Sequence, residues 1–317
     1  MNDHHAAVGI ALVAGTVAWI AWRYLRCPRG PVPVRAWVGL PIILGAEVSL
    51  FLRASGWVSV YFTPIVWTGY ILLADGLVAS LKGESRLSRA PGQFAALALW
   101  SVPLWLIFEA YNLRLQNWRY EGLPEVAGLD HLGFIWSFAT IWPAIFETAD
   151  LLEALGLSRA PGRPTAPFAP AVRWMIAAAG LVMVTAPVLI PVRIGSYLFG
   201  AVWIGFALLL DPVVYHWRGP SLLRDLEAGN RTRLFCLLGA GWVCGILWEF
   251  WNYWAGARWV YVFPMAQQWK IFEMPLPGFG GFPAFAVECW LMYQTLRILR
   301  RQLHTFRKQP TLVRTEV

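Results

Sequence analysis

Two polar side chains interrupt an apolar, tryptophan-rich stretch of the chain, GILWEFWNYWAGARWVY, residues 245–261. Glu249 and Asn252 are three residues apart in it, so a helix would place both on one face. An unpaired carboxylate in such surroundings is costly, and burial favours its neutral, protonated form. The two residues are therefore candidates to orient a substrate or to accept a proton from it.

The composition explains the apolar surroundings. Of the 317 residues 58% are hydrophobic and 14% charged, and the mean hydropathy is +0.51, which is typical of a polytopic membrane protein. Segments of about 20 apolar residues, enough to cross a bilayer, recur along the whole chain. The predicted fold class is all-α, a transmembrane helical bundle of about nine spans. The expected spans are residues 6–23, 36–52, 57–81, 94–112, 131–154, 174–191, 195–217, 234–254 and 276–296.

The charges between the spans predict the orientation. Of the 26 Lys and Arg residues, 20 fall in the loops after the odd-numbered spans or in the C-terminal tail. The positive-inside rule then predicts an inner-membrane protein with its N-terminus outside and its C-terminus in the cytoplasm. The net charge of +8 is attributed to this topology and to attraction by anionic lipids, so membrane lipids are expected partners and nucleic acid is not. The oligomeric state is left open.

The chain contains an internal repeat. VWTGYILLADGLVASLKGESRL from Val66 aligns with VWIGFALLLDPVVYHWRGPSLL from Val202, and FEAYNLRLQNWRY from Phe108 aligns with WEFWNYWAGARWVY from Trp248. The aligned pairs are Trp67 with Trp203, Gly69 with Gly205, Asp75 with Asp211, Glu109 with Glu249, Asn112 with Asn252, Trp118 with Trp259, Tyr120 with Tyr261 and, within one residue, Glu147 with Glu288. Landmarks in the same order predict two parallel four-helix repeats.

The predicted division of the chain follows from the repeat. Residues 1–35 form an N-terminal transmembrane anchor, 36–157 the first repeat, 158–170 a Pro-rich cytoplasmic linker, 171–300 the second repeat, and 301–317 a basic cytoplasmic tail. The anchor carries no Lys or Arg before its apolar run, which distinguishes it from a signal peptide.

The repeated carboxylates are the candidate catalytic groups: Glu249, Glu288, Glu147 and Glu109. Glu147 and Glu288 fall deeper in their spans, where a neutral acid can donate a proton. A structural alternative places Glu109 and Glu249 at the membrane interface near Arg114 or Arg258. Asp75 and Asp211 are expected to be structural, paired with Arg86 or Arg224.

Aromatic and amide side chains beside these carboxylates are the candidate substrate-binding groups: Asn252, Asn112, Trp248, Trp259, Tyr261, Trp118 and Tyr120. Aromatic faces attract cations, so a pocket of this kind could hold a long apolar substrate and stabilise a developing carbocation. The run of Pro and Gly over residues 275–283 cannot start a regular helix, and it marks a candidate site with Glu273 at its rim.

Other chemistries have little support. The five histidines have no ligand spacing, so no metal site is predicted. No phosphate-binding loop, dinucleotide fingerprint or nucleophile elbow is present, and no cofactor is predicted. The four cysteines form no CxxC pair and are expected to be reduced.

The order (W/F)E, then WxY, then a proline followed by Glu resembles the membrane-type lycopene cyclases of bacteria and archaea. The matching residues are Trp248, Glu249, Trp259, Tyr261, Pro283 and Glu288, with Glu109, Trp118, Tyr120, Pro143 and Glu147 in the first copy. The resemblance implies a cofactor-free, proton-initiated cyclisation of a carotenoid end group. That family has paired carboxylates close to the proline, whereas here a single Glu follows four or five positions on.

The sequence thus leaves three hypotheses. The first is an integral-membrane enzyme that acts on a lipid or isoprenoid by Glu-based acid/base chemistry, with an apolar small molecule as its substrate. The second is a proton- or cation-coupled transporter or channel that uses the same carboxylates. The third is a non-catalytic membrane scaffold.

Overall fold

Long apolar helices make up most of the chain. A computed structural model describes residues 3–126, 128–157 and 162–308. Residues 158–161 of the predicted linker and 309–317 of the predicted tail lie outside the described residues. Eight of the described helices are long and apolar enough to cross a membrane. The protein is therefore an all-α polytopic helical bundle, as the hydropathy predicted.

The described elements follow one another with short connections. The helices are α1 (Asp3–Arg26), α2 (Val34–Phe51), α3 (Gly56–Val60), α4 (Phe62–Lys82), α5 (Arg86–Arg89), α6 (Pro91–Leu115), α7 (Leu129–Ala154), α8 (Pro170–Leu189), α9 (Val192–Gly195), α10 (Phe199–His216), α11 (Leu222–Glu227), α12 (Thr232–Trp254) and α13 (Gly281–Lys308). The strands are β1 (Trp118–Glu121), β2 (Arg258–Tyr261), β3 (Lys270–Ile271) and β4 (Met274–Pro275), and a 3-10 helix spans Leu276–Gly280.

The expected ninth span, residues 276–296, differs from the other eight. The 3-10 helix occupies its start, in agreement with the run of Pro and Gly, and α13 begins only at Gly281. Helix α13 is not among the eight apolar candidates, and it carries Glu288, Gln294 and Arg297. It packs against α10 and α12, so that all its residues from Phe285 to Met292 are buried. Because this part of α13 contacts protein and not lipid, its polar residues are tolerated and its hydropathy can be lower than that of the other eight helices.

Equivalent helices pack in the same way in residues 36–157, called here the first half, and in residues 171–300, the second half. Helix α2 packs against α4 as α8 does against α10, and α4 packs against α7 as α10 does against α13. At the α2–α4 crossing a Cβ on Gly39 would lie 2.4 Å from the carbonyl oxygen of Gly69, and on Gly180 it would lie 2.6 Å from that of Gly205. Glycine is required at both crossings because the backbones touch.

The two halves meet along a continuous aromatic core. Helix α7 packs directly against α12, and the indole of Trp142 donates to the carbonyl of Cys289 in α13 at 2.8 Å. On the other side Trp105 and Phe108 of α6 contact Phe285 of α13, with ring centroids 5.7 and 5.5 Å apart. Large rings therefore fill the space between the halves.

The two ends of the bundle differ in character. One end, called here the ribbon face, contains β1 and β2 and the short helices α3 and α9. Gly256 N, just before β2, donates to Ser59 O of α3 at 2.9 Å, and the side-chain amide of Asn117, just before β1, donates to Ser196 O after α9 at 2.8 Å. At the other end, the basic face, the ion pairs Arg86–Asp150 and Lys82–Glu153 join the ends of the helices. Strand β3 contacts α1, and the ring of Phe272 lies against Gly9, which places the N-terminal part of α1 near the ribbon face.

Candidate functional site

A two-stranded ribbon joins the halves where the predicted WxY motifs lie. Strands β1 and β2 pair antiparallel, with Trp118 opposite Tyr261 and Tyr120 opposite Trp259. Each tryptophan therefore faces the tyrosine of the other motif, as a two-fold axis through the centre of the ribbon requires. The two motifs hold equivalent positions in the aligned segments, and the ribbon brings them together.

The two predicted asparagines hold this ribbon in place. The Asn252 side chain donates to Trp259 O at 2.8 Å and accepts from Trp259 N at 2.9 Å. The Asn112 side chain likewise donates to Trp118 O at 2.9 Å, and it accepts from the backbone N–H groups of Asn117 and Trp118. Both amides are thus bonded to strand backbone, which gives them a structural role. Their predicted binding of a substrate stays a prediction.

Each half also has a glutamate hydrogen-bonded to the tyrosine of its own motif. Tyr261 Oη donates to Glu249 Oε1 at 3.0 Å, and it accepts from the indole of Trp259 at 2.9 Å. Tyr120 Oη donates to Glu109 Oε1 at 2.6 Å, and the indole of Trp105 donates to the same oxygen at 2.8 Å. Neither glutamate is paired with Arg114 or Arg258, the interfacial partners that the sequence offered.

The surroundings of the two glutamates differ. Glu249 is fully buried, and its Oε2 has no hydrogen-bond partner among the described residues. Glu109 is partly exposed. A buried carboxylate oxygen without a donor penalises the charged form of the group. Glu249 is therefore better suited to hold a proton than Glu109.

Both tyrosine hydroxyls stay protonated. Burial, together with the carboxylate of Glu249, raises the pKa of Tyr261 well above its ordinary value, and burial with Glu109 does the same to the pKa of Tyr120. Each hydroxyl remains a donor at any neutral pH.

The ribbon covers a cavity of about 220 Å³ between the halves. Its wall includes the matched pairs Trp67 and Trp203, Trp118 and Trp259, and Tyr120 and Tyr261. The predicted Trp248 also lines it, as do Phe282 and Phe285. At about 30 Å³ for each water molecule of liquid, the space equals about seven waters. It suits the end group of a small apolar molecule.

The predicted glutamates are not part of this wall. Glu109 and Glu249 are absent from the residues that line the cavity. They are hydrogen-bonded to residues of its wall, Glu109 to Tyr120 and Trp105 and Glu249 to Tyr261. Asn112 and Asn252 are absent as well. The cavity surface is thus formed by the rings of the predicted set, while the carboxylates lie behind them.

Glu147 and Glu288 form a separate pair of sites. Both are fully buried, and neither carboxylate has a hydrogen-bond partner in the part of the chain that the structure describes. Neither residue lines the ribbon cavity. The structure therefore does not bring these two together with Glu249 into one catalytic constellation.

Asp75 and Asp211 cap short helices on the basic face. Asp75 accepts from the backbone N–H of Leu87, and Asp211 accepts from Leu222 N and Leu223 N at 2.9 and 2.8 Å. The prediction that Arg86 or Arg224 pairs with these two aspartates is wrong. Arg35 pairs with Asp75, because α2 packs along α4 and brings it close.

The two arginines that the sequence offered have other partners. Arg86 bonds Asp150, and Arg224 donates to the carbonyls of Gly219 and Tyr215. On the ribbon face Glu273, expected at the rim of the site, lies between Arg258 at 3.7 Å and Lys270 at 3.9 Å.

Several residues of the site were not assigned a role from the sequence. Tyr61 and Tyr197 line the cavity from equivalent positions, and so do Trp67 and Trp203, whose alignment was the available signal. Thr63 lines it too, and the residue aligned with it in the second half is Phe199, which also lines the cavity but has no hydroxyl. Glu47 of α2 accepts a hydrogen bond from the indole of Trp251 at 3.0 Å, and no repeat marked it.

The described residues contain no group of three or more His, Cys, Asp or Glu side chains that could hold a metal ion. The fold and the site thus define a polytopic helical membrane protein with an aromatic cavity between two similarly packed halves. Comparison of the chain with protein-family models, with curated proteins and with solved structures finds no match.

Proposed function

We propose that this protein is an integral-membrane enzyme that isomerises or cyclises an apolar lipid or isoprenoid by acid/base chemistry in the ribbon cavity. One observation carries the proposal: Tyr261 lies on the wall of an aromatic cavity and is hydrogen-bonded to Glu249, a fully buried carboxyl group with one free oxygen. A dry acid behind a hydroxyl is a suitable proton donor for a substrate that water cannot reach.

The reaction needs only proton transfers. When Glu249 carries its proton on Oε1, the hydrogen bond between the two groups reverses and Glu249 donates to Tyr261 Oη. Glu249 then passes this proton to Tyr261 Oη, and the tyrosine delivers its own proton to one carbon of a double bond in the substrate. A C–H bond at another carbon then breaks, and its proton returns through Tyr261 to Glu249. Substrate and product are isomers, and no oxidant or reductant is consumed. The rings of Trp248 and Trp259 exclude water from the reacting carbons.

The orientation and location are part of the proposal. The excess of Lys and Arg in the loops of the basic face favours a cytoplasmic position for that face in an inner membrane. The ribbon and its cavity then lie toward the outer side. An apolar substrate would enter from the lipid and not from the cytosol.

Deuterium labelling tests the proposal without knowledge of the substrate. The purified protein is incubated in D₂O with a lipid extract of its host membrane, and the lipids are analysed by mass spectrometry. An isomerising enzyme leaves deuterium bound to carbon in one lipid species, and Glu249→Gln abolishes this label. Labelling that is equal in wild type and Glu249→Gln contradicts the proposal.

The second candidate function is a proton- or cation-coupled transporter. The observation that favours it is the pair of fully buried, unpartnered carboxyl groups at Glu147 and Glu288, at similar positions in the two halves. Flux of protons or cations into empty liposomes that is lost in Glu288→Gln supports transport. A protein with neither flux nor labelling fits the scaffold hypothesis.

A further inference from the structure

Three buried hydrogen-bond donors on the cavity wall have no partner among the described residues, and one acceptor, Asn117 Oδ1, has none either. The hydroxyl of Thr63 and the indole N–H groups of Trp67 and Trp203 are buried, and none makes a hydrogen bond to any described residue. All three residues line the ribbon cavity. A buried donor left unpaired is costly, so such a group is normally satisfied by a ligand or water.

Other buried indoles of the bundle are satisfied by protein. Trp105 donates to Glu109, Trp142 to Cys289 O, Trp251 to Glu47 and Trp259 to Tyr261. Burial among aromatic rings therefore does not by itself leave an indole N–H without an acceptor here. Trp105 and Trp259 line the same cavity and are hydrogen-bonded, so the free N–H groups of Trp67 and Trp203 are specific to those two positions.

Two of the free donors lie close together on one helix. Thr63 and Trp67 are four residues apart in α4, so their side chains share a face of that helix. Both are buried, at 7% and 1% exposure. An indole N–H can only donate, and a hydroxyl can donate as well. Together they form a two-donor site for an oxygen with two lone pairs, which is the hydrogen-bonding capacity of a carbonyl group.

The charge of the wall restricts the oxygen further. Of the residues that line the cavity Arg258 is the one Lys or Arg, and it lies on the ribbon with Glu121 and Glu273 as its neighbours. A phosphate or carboxylate group beside Thr63 and Trp67 would have no cation of its own. A neutral oxygen fits this part of the wall.

We infer that the ligand of the ribbon cavity is an apolar molecule with a carbonyl oxygen, which Thr63 Oγ1 and Trp67 Nε1 bind by hydrogen bonds. This inference rests on the proposed function, because it assigns the substrate class of the same cavity. In that reaction the two donors hold the carbonyl oxygen and so position the neighbouring double bond of the ligand against the Tyr261 hydroxyl.

Binding of a matched pair of probes tests the inference. The ketone β-ionone and the hydrocarbon of the same skeleton, with CH₂ in place of C=O, are titrated into the detergent-solubilised full-length protein by calorimetry. Two hydrogen bonds predict that the ketone binds about 5- to 100-fold more tightly than the hydrocarbon. Equal affinities, or no binding of the ketone, would overturn the inference.

Two variants assign the preference to these donors. Thr63→Val keeps the shape of the side chain, and Trp67→Phe keeps an aromatic ring, so each is expected to weaken ketone binding about 2- to 12-fold. Loss of volume affects both probes, whereas loss of the donor affects the ketone alone. Thr68→Val is the control, since Thr68 Oγ1 is already bonded to Pro64 O and Trp136 and does not line the cavity. Equal losses for both probes in both variants would overturn the assignment.

The probe experiment is separate from the test of catalysis. Glu249→Gln is expected to leave the preference for the ketone intact, because Glu249 does not line the cavity. A protein that prefers the ketone but incorporates no deuterium would refute the acid/base function and keep the ligand class. Deuterium incorporation without a ketone preference would refute the ligand class alone.

Discussion

The Glu109–Tyr120 pair and the Glu249–Tyr261 pair have the same sequence spacing to within a residue, the same hydrogen bond and equivalent places on the ribbon. They differ in water access and in the partners of the carboxylate. Glu109 is partly exposed and accepts from two donors, while Glu249 is fully buried and keeps one oxygen free. Two similarly packed halves thus contain one carboxyl group with access to water and one buried carboxyl group suited to hold a proton. The surroundings of each glutamate, and not its motif, therefore distinguish the two roles.

The largest expected effect separates the two glutamates directly. Glu249→Gln keeps the size of the side chain but removes the proton donor, so the rate of deuterium incorporation should fall about 10²- to 10⁴-fold. Glu109→Gln should change this rate less than about tenfold, because Tyr120 keeps a hydrogen-bond acceptor there. Equal losses in the two variants would show that the halves share the chemistry.

The two asparagines that hold the ribbon, Asn112 and Asn252, should contribute differently to the free energy of unfolding. Asn252→Ala leaves a backbone N–H and a carbonyl of Trp259 without partners beside a fully buried position, at a cost of about 2–3 kcal/mol in the free energy of unfolding. Asn112 is partly exposed, so that water can replace some of its bonds, and Asn112→Ala should cost about 1 kcal/mol. Chemical unfolding in detergent measures both. A larger loss of unfolding free energy for Asn112→Ala than for Asn252→Ala would contradict this prediction.

The tyrosines, in contrast to the glutamates, should behave alike in alkaline solution. Their folded pKa values are raised above the unfolded value of about 10, so the folded state binds more protons than the unfolded state above that pH. Their contribution to stability is complete below about pH 10, and each then loses about 1.4 kcal/mol per pH unit as the pH rises. Unfolding measured from pH 9 to 11 should show this slope.

Single replacements check the contribution of each tyrosine. Tyr120→Phe and Tyr261→Phe should flatten the alkaline slope by similar amounts, because each removes one buried hydroxyl. A slope that only one of them changes would mean that the other tyrosine is accessible to water in solution.

The smallest effect is expected on the basic face. Asp75 is held by Arg35 and by Leu87 N, whereas Asp211 binds two backbone N–H groups and no arginine. Arg35→Gln should therefore cost about 1 kcal/mol in unfolding free energy, since the shorter amide of Gln and the N–H of Leu87 remain as donors near the buried Asp75. A loss of unfolding free energy well above this value would mean that Asp75 depends on its arginine, whereas Asp211 is held by backbone N–H groups.

Features that depend only on residues close together in the chain could be predicted from the sequence. Hydropathy alone indicates eight of the membrane helices, since each spanning segment must be apolar over its own length whatever surrounds it. The 3-10 helix before α13 follows from its prolines and glycines. The aromatic residues Trp118, Tyr120, Trp259 and Tyr261, singled out by their repetition, do line the cavity.

Tertiary structure decided which polar groups meet. That Asn112 and Asn252 hold a strand, that Glu249 lies behind Tyr261, and that Arg35 takes the place expected for Arg86 all depend on which elements pack side by side. The same holds for the separation of Glu147 and Glu288 from the ribbon cavity. A spacing of three or four residues defines a helix face, but the partner across that face comes from distant parts of the chain. Local sequence determined the helices and the motifs, and only packing between the halves determined the chemistry available to each carboxylate.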